Sequence, residues 1–536
     1  MNTLTHLHTY KNFVQKSFTK YLTMGIVFLY FSFPIYTIFK FKLLAVFNYF
    51  AADTFYYLAI AKKSVLLWNS ADGSTHTNGF HPLWQNLLNL FYRLFHPSDP
   101  MFLYVVFGIS FLFVLSGFLL LSDACRQISK SNISWLFMFP GMVYICGYQA
   151  TTSEYGLSNI YQPFSFINGM ESSLTILFFG ILILVLRQKE LSSPKDWFWV
   201  GCVVSLITIS RLDDIFLVVG FGIFLLIFRR KNLYKNLLAL FSPVCVSLIL
   251  LFCYHLSTGQ TLMPVSGSIK GTNTGEFDSN FTTLKRILRP GSALEAVNTR
   301  AYGLFIPLFL ALVFLAIYCA SQRVNDNEDR NSSIQLQSIA KYLVPFSIYV
   351  IIKSVYTFDR FYLIETGYWY YVGPVICVNF LAAILIGFFV DRGVPSRIFL
   401  LGTIGLIQVF NLSVTYQKLQ TNNVMYTVFA NRGTLQNDIE RLFGTNVKVI
   451  DGTDGIYSFI LNNPSQSARG FTINKSGYES FRRGGYAEYY NYLLKNDFGV
   501  LVGLDVYTHP IPDSITVIPK YRDEATGTVF SSLEKP

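Results

Sequence analysis

The stretch Met101-Phe102-Leu103-Tyr104-Val105-Val106-Phe107-Gly108-Ile109-Ser110-Phe111-Leu112-Phe113-Val114-Leu115-Ser116-Gly117-Phe118-Leu119-Leu120-Leu121-Ser122 has no charged residue in 22 positions. A helix of that length rises about 33 Å, enough to cross a hydrocarbon layer about 30 Å thick. Comparable apolar runs lie near 21–39, 133–148, 172–186, 197–209, 215–228, 237–254, 303–320, 339–356, 370–390 and 398–415. Together they predict about eleven transmembrane helices, the shorter runs being extended by flanking residues. The composition agrees: of 536 residues, 52% are hydrophobic, 17% aromatic and 14% charged, against about 25% charged in a soluble domain. A soluble enzyme, a disordered chain and a coiled coil are thereby set aside in favour of a mainly α polytopic membrane protein.

The net charge of +11, from 42 Lys+Arg against 31 Asp+Glu, does not point to nucleic acid, because many of the basic residues form short tufts between apolar runs. With the N-terminus and its Lys11, Lys16 and Lys20 placed in the cytoplasm, alternation also places there Arg126 with Lys130, Arg187 with Lys189 and Lys195, Arg229-Arg230-Lys231 with Lys235, Arg323 with Arg330, and Arg392 with Arg397. The opposite, extracytoplasmic side then receives segments 40–100, 149–171, 255–302 and 357–369 and everything after about 416. Membrane lipids are partners by construction, and a phosphate-bearing lipid suits the basic balance. Of the seven cysteines, Cys125 is assigned to a short connecting loop and the other six lie in or beside apolar runs, so neither a disulfide framework nor a structural zinc is expected. The N-terminal stretch reads as an uncleaved first helix.

Segment 78–96 is long enough to be mistaken for another span, which would invert every later loop. Its aromatic residues and Arg93 instead predict an interfacial helix, with Trp84 as a headgroup anchor. From about 416 apolar runs shorten: Val447-Lys448-Val449-Ile450 before Asp451-Gly452, and Gly499-Val500-Leu501-Val502-Gly503, predict strands, with a helix around Tyr486 to Lys495. The predicted organisation is a membrane region over 1–415 and a small α/β C-terminal extramembrane domain over 416–536.

The polar groups on the predicted outer side are few. Asp53 opens Asp53-Thr54-Phe55-Tyr56-Tyr57-Leu58-Ala59-Ile60-Ala61-Lys62-Lys63, an aromatic, amphipathic helix; it is either an N-cap favoured by the helix dipole or a base or metal-binding carboxylate held at the bilayer. His81, after the Asn78-Gly79 turn and before Pro82 at a helix start, is a hydrogen-bonding interfacial residue by chemistry alone. Glu171 opens the next outer-starting helix and either suits its dipole or faces Asp53 across a cavity. Ser210-Arg211-Leu212-Asp213-Asp214 joins two apolar runs so closely that its charges must be paired or face water, since a charge at mid-membrane costs about 2.5–3.5 kcal/mol on insertion scales. In Ser266-Gly267-Ser268-Ile269-Lys270-Gly271, small residues and Lys270 suit a phosphate as well as a solvated loop. Arg360 and the rings of Tyr368-Trp369-Tyr370-Tyr371 suit a sugar cleft as well as an interfacial belt. GxxxxGK[ST], strand-placed GxGxxG, HExxH, paired CxxC and GxSxG do not occur, which demotes nucleotide-driven pumps, zincins and serine hydrolases.

Asp53-Thr54-Phe55-Tyr56-Tyr57-Leu58-Ala59-Ile60-Ala61-Lys62 followed by Thr77-Asn78-Gly79-Phe80-His81-Pro82-Leu83-Trp84, with Gly169-Met170-Glu171-Ser172 and Ser210-Arg211-Leu212-Asp213 in that order, resembles polytopic GT-C glycosyltransferases, nearest the bacterial arabinofuranosyltransferases and more distantly the protein mannosyltransferases. The resemblance implies a GT-C fold in a bacterial plasma membrane. It implies sugar transfer from a polyprenyl-phosphate donor to a glycan, protein or lipid acceptor on the outer face. Asp53 becomes the implied base or metal-linked carboxylate and Glu171 a supporting acid. Lys270, Arg211 and Arg360 are candidates for the lipid phosphate, on charge and predicted side more than on motif, and His81, Asp213 and Tyr370 are further candidate substrate contacts. A divalent metal at Asp53 is an open expectation; a nucleotide cofactor is not expected, because the donor is already activated. Ala52 stands where many relatives have a second acid. A non-enzymatic transporter or flippase of lipid-linked sugars is the competing expectation; it would more naturally show internal repeats, and none is seen.

Overall fold

A computed structural model describes residues 2–64, 69–129, 131, 133–139, 164–189, 191–228, 232–258, 260–262, 264–266, 341–353, 371–390, 394–421, 423–453, 455–469, 474–504 and 511–534. Apolar sequence becomes helix wherever it runs long, since a helix satisfies all its own backbone groups away from water. Helix α1 spans Asn2–Phe41, α2 Leu43–Tyr49, α3 Thr54–Lys63, α4 Pro82–Phe95, α5 Asp99–Ser129, α6 Ser172–Gln188, α7 Pro194–Ser210, α8 Phe216–Phe228 and α9 Leu233–Ser257. After these come α10 over 341–353, α11 at Val372–Val390 and α12 at Val394–Gln420.

Among the described residues, three helices are long and apolar enough to cross a membrane: Tyr21–Phe41, Asp99–Ser129 and Leu233–Ser257. The pair α2 and α3, bent by 113°, could make a fourth, and Ser172–Gln188 and Val372–Ile384 are shorter apolar helices. Of the eleven expected runs, 303–320 and most of 133–148 lie outside the described residues. Cys125, expected in a connecting loop, is instead buried within α5; uncharged Ala124 and Cys125 let the helix continue past the apolar run to Ser129.

The helices approach closely at glycines. A Cβ on Gly117 of α5 would stand 2.7 Å from the Ile176 carbonyl oxygen of α6, and one on Gly180 of α6 would stand 2.9 Å from the Gly117 carbonyl oxygen. Gly201 of α7 meets the Leu240 carbonyl of α9 in the same way, and Gly220 of α8 the Pro345 carbonyl of α10. Lipid tails are as apolar as leucine, so such contacts, rather than the hydrophobic effect, hold membrane helices together.

Two predicted surface helices differ from each other. Helix α4 is 14 residues long, about 21 Å, too short to span. It starts with Pro82 at its first turn and exposes Leu90, Leu94 and Phe95, as an interfacial helix does. Trp84, however, is fully buried with its indole Nε1 donating to the Gly169 carbonyl at 3.1 Å, so it anchors the protein's interior and not a headgroup layer. Helix α3, expected to be amphipathic, is buried along its whole length from Thr54 to Ala61. It is enclosed by α4 on one side and the C-terminal region on another.

Helix α12 runs through position 416 and ends at Gln420. The C-terminal region continues with α13 (Val424–Ala430), α14 (Arg432–Phe443), β1 (Lys448–Asp451), α15 (Ile456–Ile460), β2 (Ser465–Ser467), α16 (Lys475–Lys495), β3 (Phe498–Leu504), β4 (Thr516–Asp523) and β5 (Thr528–Glu534). The predicted strands near 447–450 and 499–503 and the helix near 486–495 are β1, β3 and the second half of α16. The strands form one sheet in the order β2-β1-β3-β5-β4. β1 runs parallel to both β2 and β3, pairing Ile450 with Gln466 and with Leu501, while β5 runs antiparallel to β3 and β4. Pro519 sits in edge strand β4, where a missing N–H is tolerated. Ile450, Phe481, Tyr489, Tyr490, Leu493 and Leu501 form a core under this sheet.

Replacing Gly117 with leucine should push α5 from α6 and destabilise the detergent-solubilised protein by about 1–3 kcal/mol, read as a lower thermal midpoint, whereas the same change at Gly108, whose Cβ would meet nothing within 4 Å, should leave it unchanged.

Candidate active site

The turn before α6 fastens α3 and α4 together. The Asn168 carbonyl accepts from the Ala51 N–H at 3.0 Å and the Thr54 hydroxyl at 2.6 Å, and the Gly169 carbonyl accepts from Trp84. Gly169 has φ +74°, and a Cβ there would meet Thr54 Cγ2 at 2.5 Å, so both backbone and space require glycine.

Glu171 follows immediately, at the start of α6. Its side chain does not cap the helix; it is fully buried and its two oxygens are taken by three partners. Arg211 Nη1 lies 2.5 Å from Oε1, His81 Nε2 lies 3.4 Å from the same oxygen, and the Tyr57 hydroxyl donates to Oε2 at 3.1 Å. Arg211, 1% exposed, turns its Nε to Asp213 Oδ1 at 2.9 Å. Beyond it Lys353, from the end of α10, lies 3.4 Å from Asp213 Oδ2 and pairs with Asp214, which also accepts from the Tyr349 hydroxyl at 2.5 Å. The sequence thus brings Glu171, His81, Arg211 and Asp213 into one cluster.

The cluster sets three carboxylates, Glu171, Asp213 and Asp214, against Arg211 and Lys353, with His81 at its rim. Burial holds the His81 imidazole below its usual range, against the pull of Glu171. Burial pushes the Asp213 carboxyl up, but Arg211 and Lys353 outweigh it and leave Asp213 below the usual carboxylate range. For Asp214 burial prevails over Lys353, helped by repulsion from Asp213, and its carboxyl is raised. The most open members are His81 and Asp213, whose side chains are 25% and 13% exposed; Glu171, Arg211, Lys353 and Asp214 form its buried floor.

Asp53 occupies the N-cap position of α3, half-buried and in helical conformation at φ −57° and ψ −17°, and its side chain makes no capping hydrogen bond. The helix-capping reading is therefore not the one the geometry realises. Tyr57, one turn into the same helix, carries the hydroxyl that reaches Glu171, so α3 links Asp53 to the cluster. Lys270, Arg360 and Tyr370 lie outside the described residues. Among the described residues no three His, Cys, Asp or Glu side chains converge as metal ligands.

Lys353, Tyr349 and Tyr57 join the cluster without belonging to its sequence candidates. Lys353 had a signal: it is an ionisable residue within the apolar run 339–356, which marks a functional candidate by default. Tyr349 and Tyr57 had none, because a tyrosine in an apolar or aromatic stretch reads as packing until its hydroxyl partner is known.

No protein-family profile matches the chain, and no curated protein matches it. Among solved structures it is similar to ArnT from Cupriavidus metallidurans in the apo state, with TM-score 0.51 and 11% sequence identity over 95% of this chain and 98% of that chain. It is similar also to ArnT from the same organism bound to undecaprenyl phosphate, with TM-score 0.51 and 10% identity over the same shares. At these identities the likeness is one of fold: the chain has an ArnT-like fold over nearly its whole length. With its apolar helices it is an integral membrane protein.

Removing one partner of a buried ion pair leaves a charge unpaired and costs about 3–5 kcal/mol, whereas replacing both by apolar groups is often near neutral. Arg211→Met should therefore lower the thermal midpoint sharply, and adding Glu171→Met should restore much of the loss. Additive losses in the double variant would show that the two side chains are not coupled.

Proposed function

We propose that the protein transfers a sugar from a polyprenyl-phosphate carrier to an acceptor hydroxyl on the extracytoplasmic face of the membrane, with Asp53 as the base. The single observation that carries this reading is Asp53 itself: a carboxylate at the start of a buried helix, not used to cap that helix, one turn from Tyr57 and its bond to the Glu171–Arg211 cluster. The ArnT-like fold supports the donor class, since one of the structures sharing it is bound to undecaprenyl phosphate.

The chemistry suits these groups. As the acceptor oxygen bonds to the anomeric carbon, Asp53 takes the hydroxyl proton, the bond from anomeric carbon to phosphate oxygen breaks, and the lipid phosphate leaves with the electron pair. Direct in-line attack inverts the anomeric configuration. Charge developing on the leaving phosphate requires cations or donors already in place; Lys270, Arg211 and Arg360 are assigned to it from the sequence. Arg211 and Lys353 already face three carboxylates, so in this reading they set the potential of the site and fix His81 and Asp213 at its open edge. His81, Asp213 and Tyr370 are assigned to the sugar or its carrier. The donor brings its own activation, in keeping with the missing nucleotide motifs. On this reading the basic tufts face the cytoplasm, and the sheet after α12 forms an extracytoplasmic domain.

Asp53→Asn should lower turnover of radiolabelled polyprenyl-phosphate sugars by at least about 100-fold, the scale of a lost general base, while the purified protein keeps its thermal midpoint and its binding of undecaprenyl phosphate. Wild-type turnover retained in that variant removes Asp53 from the reaction.

A further inference from the structure

In an open α/β sheet ligands settle outside the carboxyl ends of the strands, where the strand order reverses. In the C-terminal sheet that place follows β1, which has β2 on one side and β3 on the other. It is filled by the protein's own helix α3. Gly455, in the loop after β1 with φ +92°, lies so close that a Cβ would stand 2.5 Å from the Tyr56 nitrogen. The Tyr56 hydroxyl donates to the Thr453 carbonyl at 2.8 Å and lies 3.0 Å from Ser467 Oγ.

Every residue of edge strand β2 is buried and bonded to the first loop. Ser465 Oγ accepts from Lys63 Nζ at 2.7 Å, Gln466 Nε2 donates to Asp72 Oδ2 at 2.8 Å, and Ser467 meets Tyr56. Asp72 in turn accepts from the N–H groups of Ser74 and Thr75, ordering the loop that leads to His81. The other end of α3 is gripped as well, Lys62 donating to the Phe459 carbonyl and Lys63 to the Asn463 carbonyl at 3.2 and 2.8 Å. None of these residues belongs to the charged cluster. They hold, from behind, the helix that opens with Asp53 and the loop that delivers His81.

We propose that the carboxyl edge of the C-terminal sheet is a positioning clamp: Tyr56, Gly455 and Gln466 fix α3 and the 69–76 loop, and through them the places of Asp53 and His81 during transfer. The inference rests on the function proposed above. The clamp leaves the donor's binding surface alone and acts on the alignment of the base, so its loss lowers kcat more than it raises KM.

The test uses the full chain in lipid nanodiscs, with Tyr56→Phe, Gln466→Leu and Gly455→Ala. Tyr56→Phe keeps the ring and removes only the hydroxyl, so it folds even if Gly455→Ala does not. With radiolabelled polyprenyl-phosphate sugars, kcat should fall by about 10- to 100-fold, the scale of a small misplacement of reacting groups, with KM for the donor within about twofold. Lys63→Arg should retain the kcat that Lys63→Met loses. Hydrogen exchange of amides 54–61 should quicken at least tenfold while that of α5 and α6 stays as in the wild type. Unchanged exchange over 54–61 overturns the clamp, and quickened exchange with unchanged kcat overturns its part in positioning. A wild-type chain that turns over none of the donors counts against the proposed function, and the exchange measurement then decides the clamp alone.

Discussion

Glu171 and Arg211, 2.5 Å apart and almost wholly excluded from solvent, impose the constraint around which the rest is arranged. A carboxylate and a guanidinium in a low-dielectric interior must be matched closely, because each alone would carry a desolvation penalty of several kcal/mol. The match extends outward: Tyr57 and His81 complete the shell of Glu171, and Asp213 and Lys353 complete that of Arg211. Four separate stretches of chain, the helix after Asp53, the start of α4, the start of α6 and the turn between α7 and α8, are thereby tied to one point. Helix α10 joins them through Lys353. A cluster of this charge density is a poor source of stability compared with an apolar core. Its value lies in holding polar groups at fixed places in a protein that is otherwise greasy.

Much of this was legible in the sequence, for physical reasons that differ from element to element. The long helices declare themselves because a bilayer demands about 20 apolar residues of each. The pairing of Arg211 with Asp213 was foreshadowed by charges between two close apolar runs, where an unpaired charge is costly, whereas the bond of Arg211 to Glu171 was not. Trp84 misleads because an aromatic near a membrane surface reads alike whether it faces headgroups or protein; only its bond to the Gly169 carbonyl decides. Helix α3 was expected to have a wet face because the sequence does not show that the C-terminal region covers it. Strand β2, three polar residues long, offers no alternating apolar pattern and could be recognised only by its partners. Tyr349 is of the same kind, its hydroxyl reaching Asp214 across 135 positions of sequence.

The fold and the chemistry stand on different supports. The fold is carried by helix lengths, by glycines that let helices touch backbone to backbone, and by a likeness to ArnT structures spanning nearly both chains. The proposed chemistry is carried by one uncapping carboxylate and the charged floor beneath its neighbours. Such a division is common in membrane enzymes, where the scaffold is apolar and generic and the few intramembrane or interfacial charges mark the work.

The grip on α3 has a consequence for how the protein comes into being. Tyr56 finds Thr453 and Ser467 across 397 and 411 residues of chain, so a helix emerging early in synthesis waits for partners made near the end. At about 5–20 residues per second that delay is on the order of 20–80 s, during which α3 is unbraced. A nascent or truncated chain therefore lacks the partners that brace α3, and under the proposed function the carboxylate of Asp53 comes into register only with the final strands: quality control written into the order of translation.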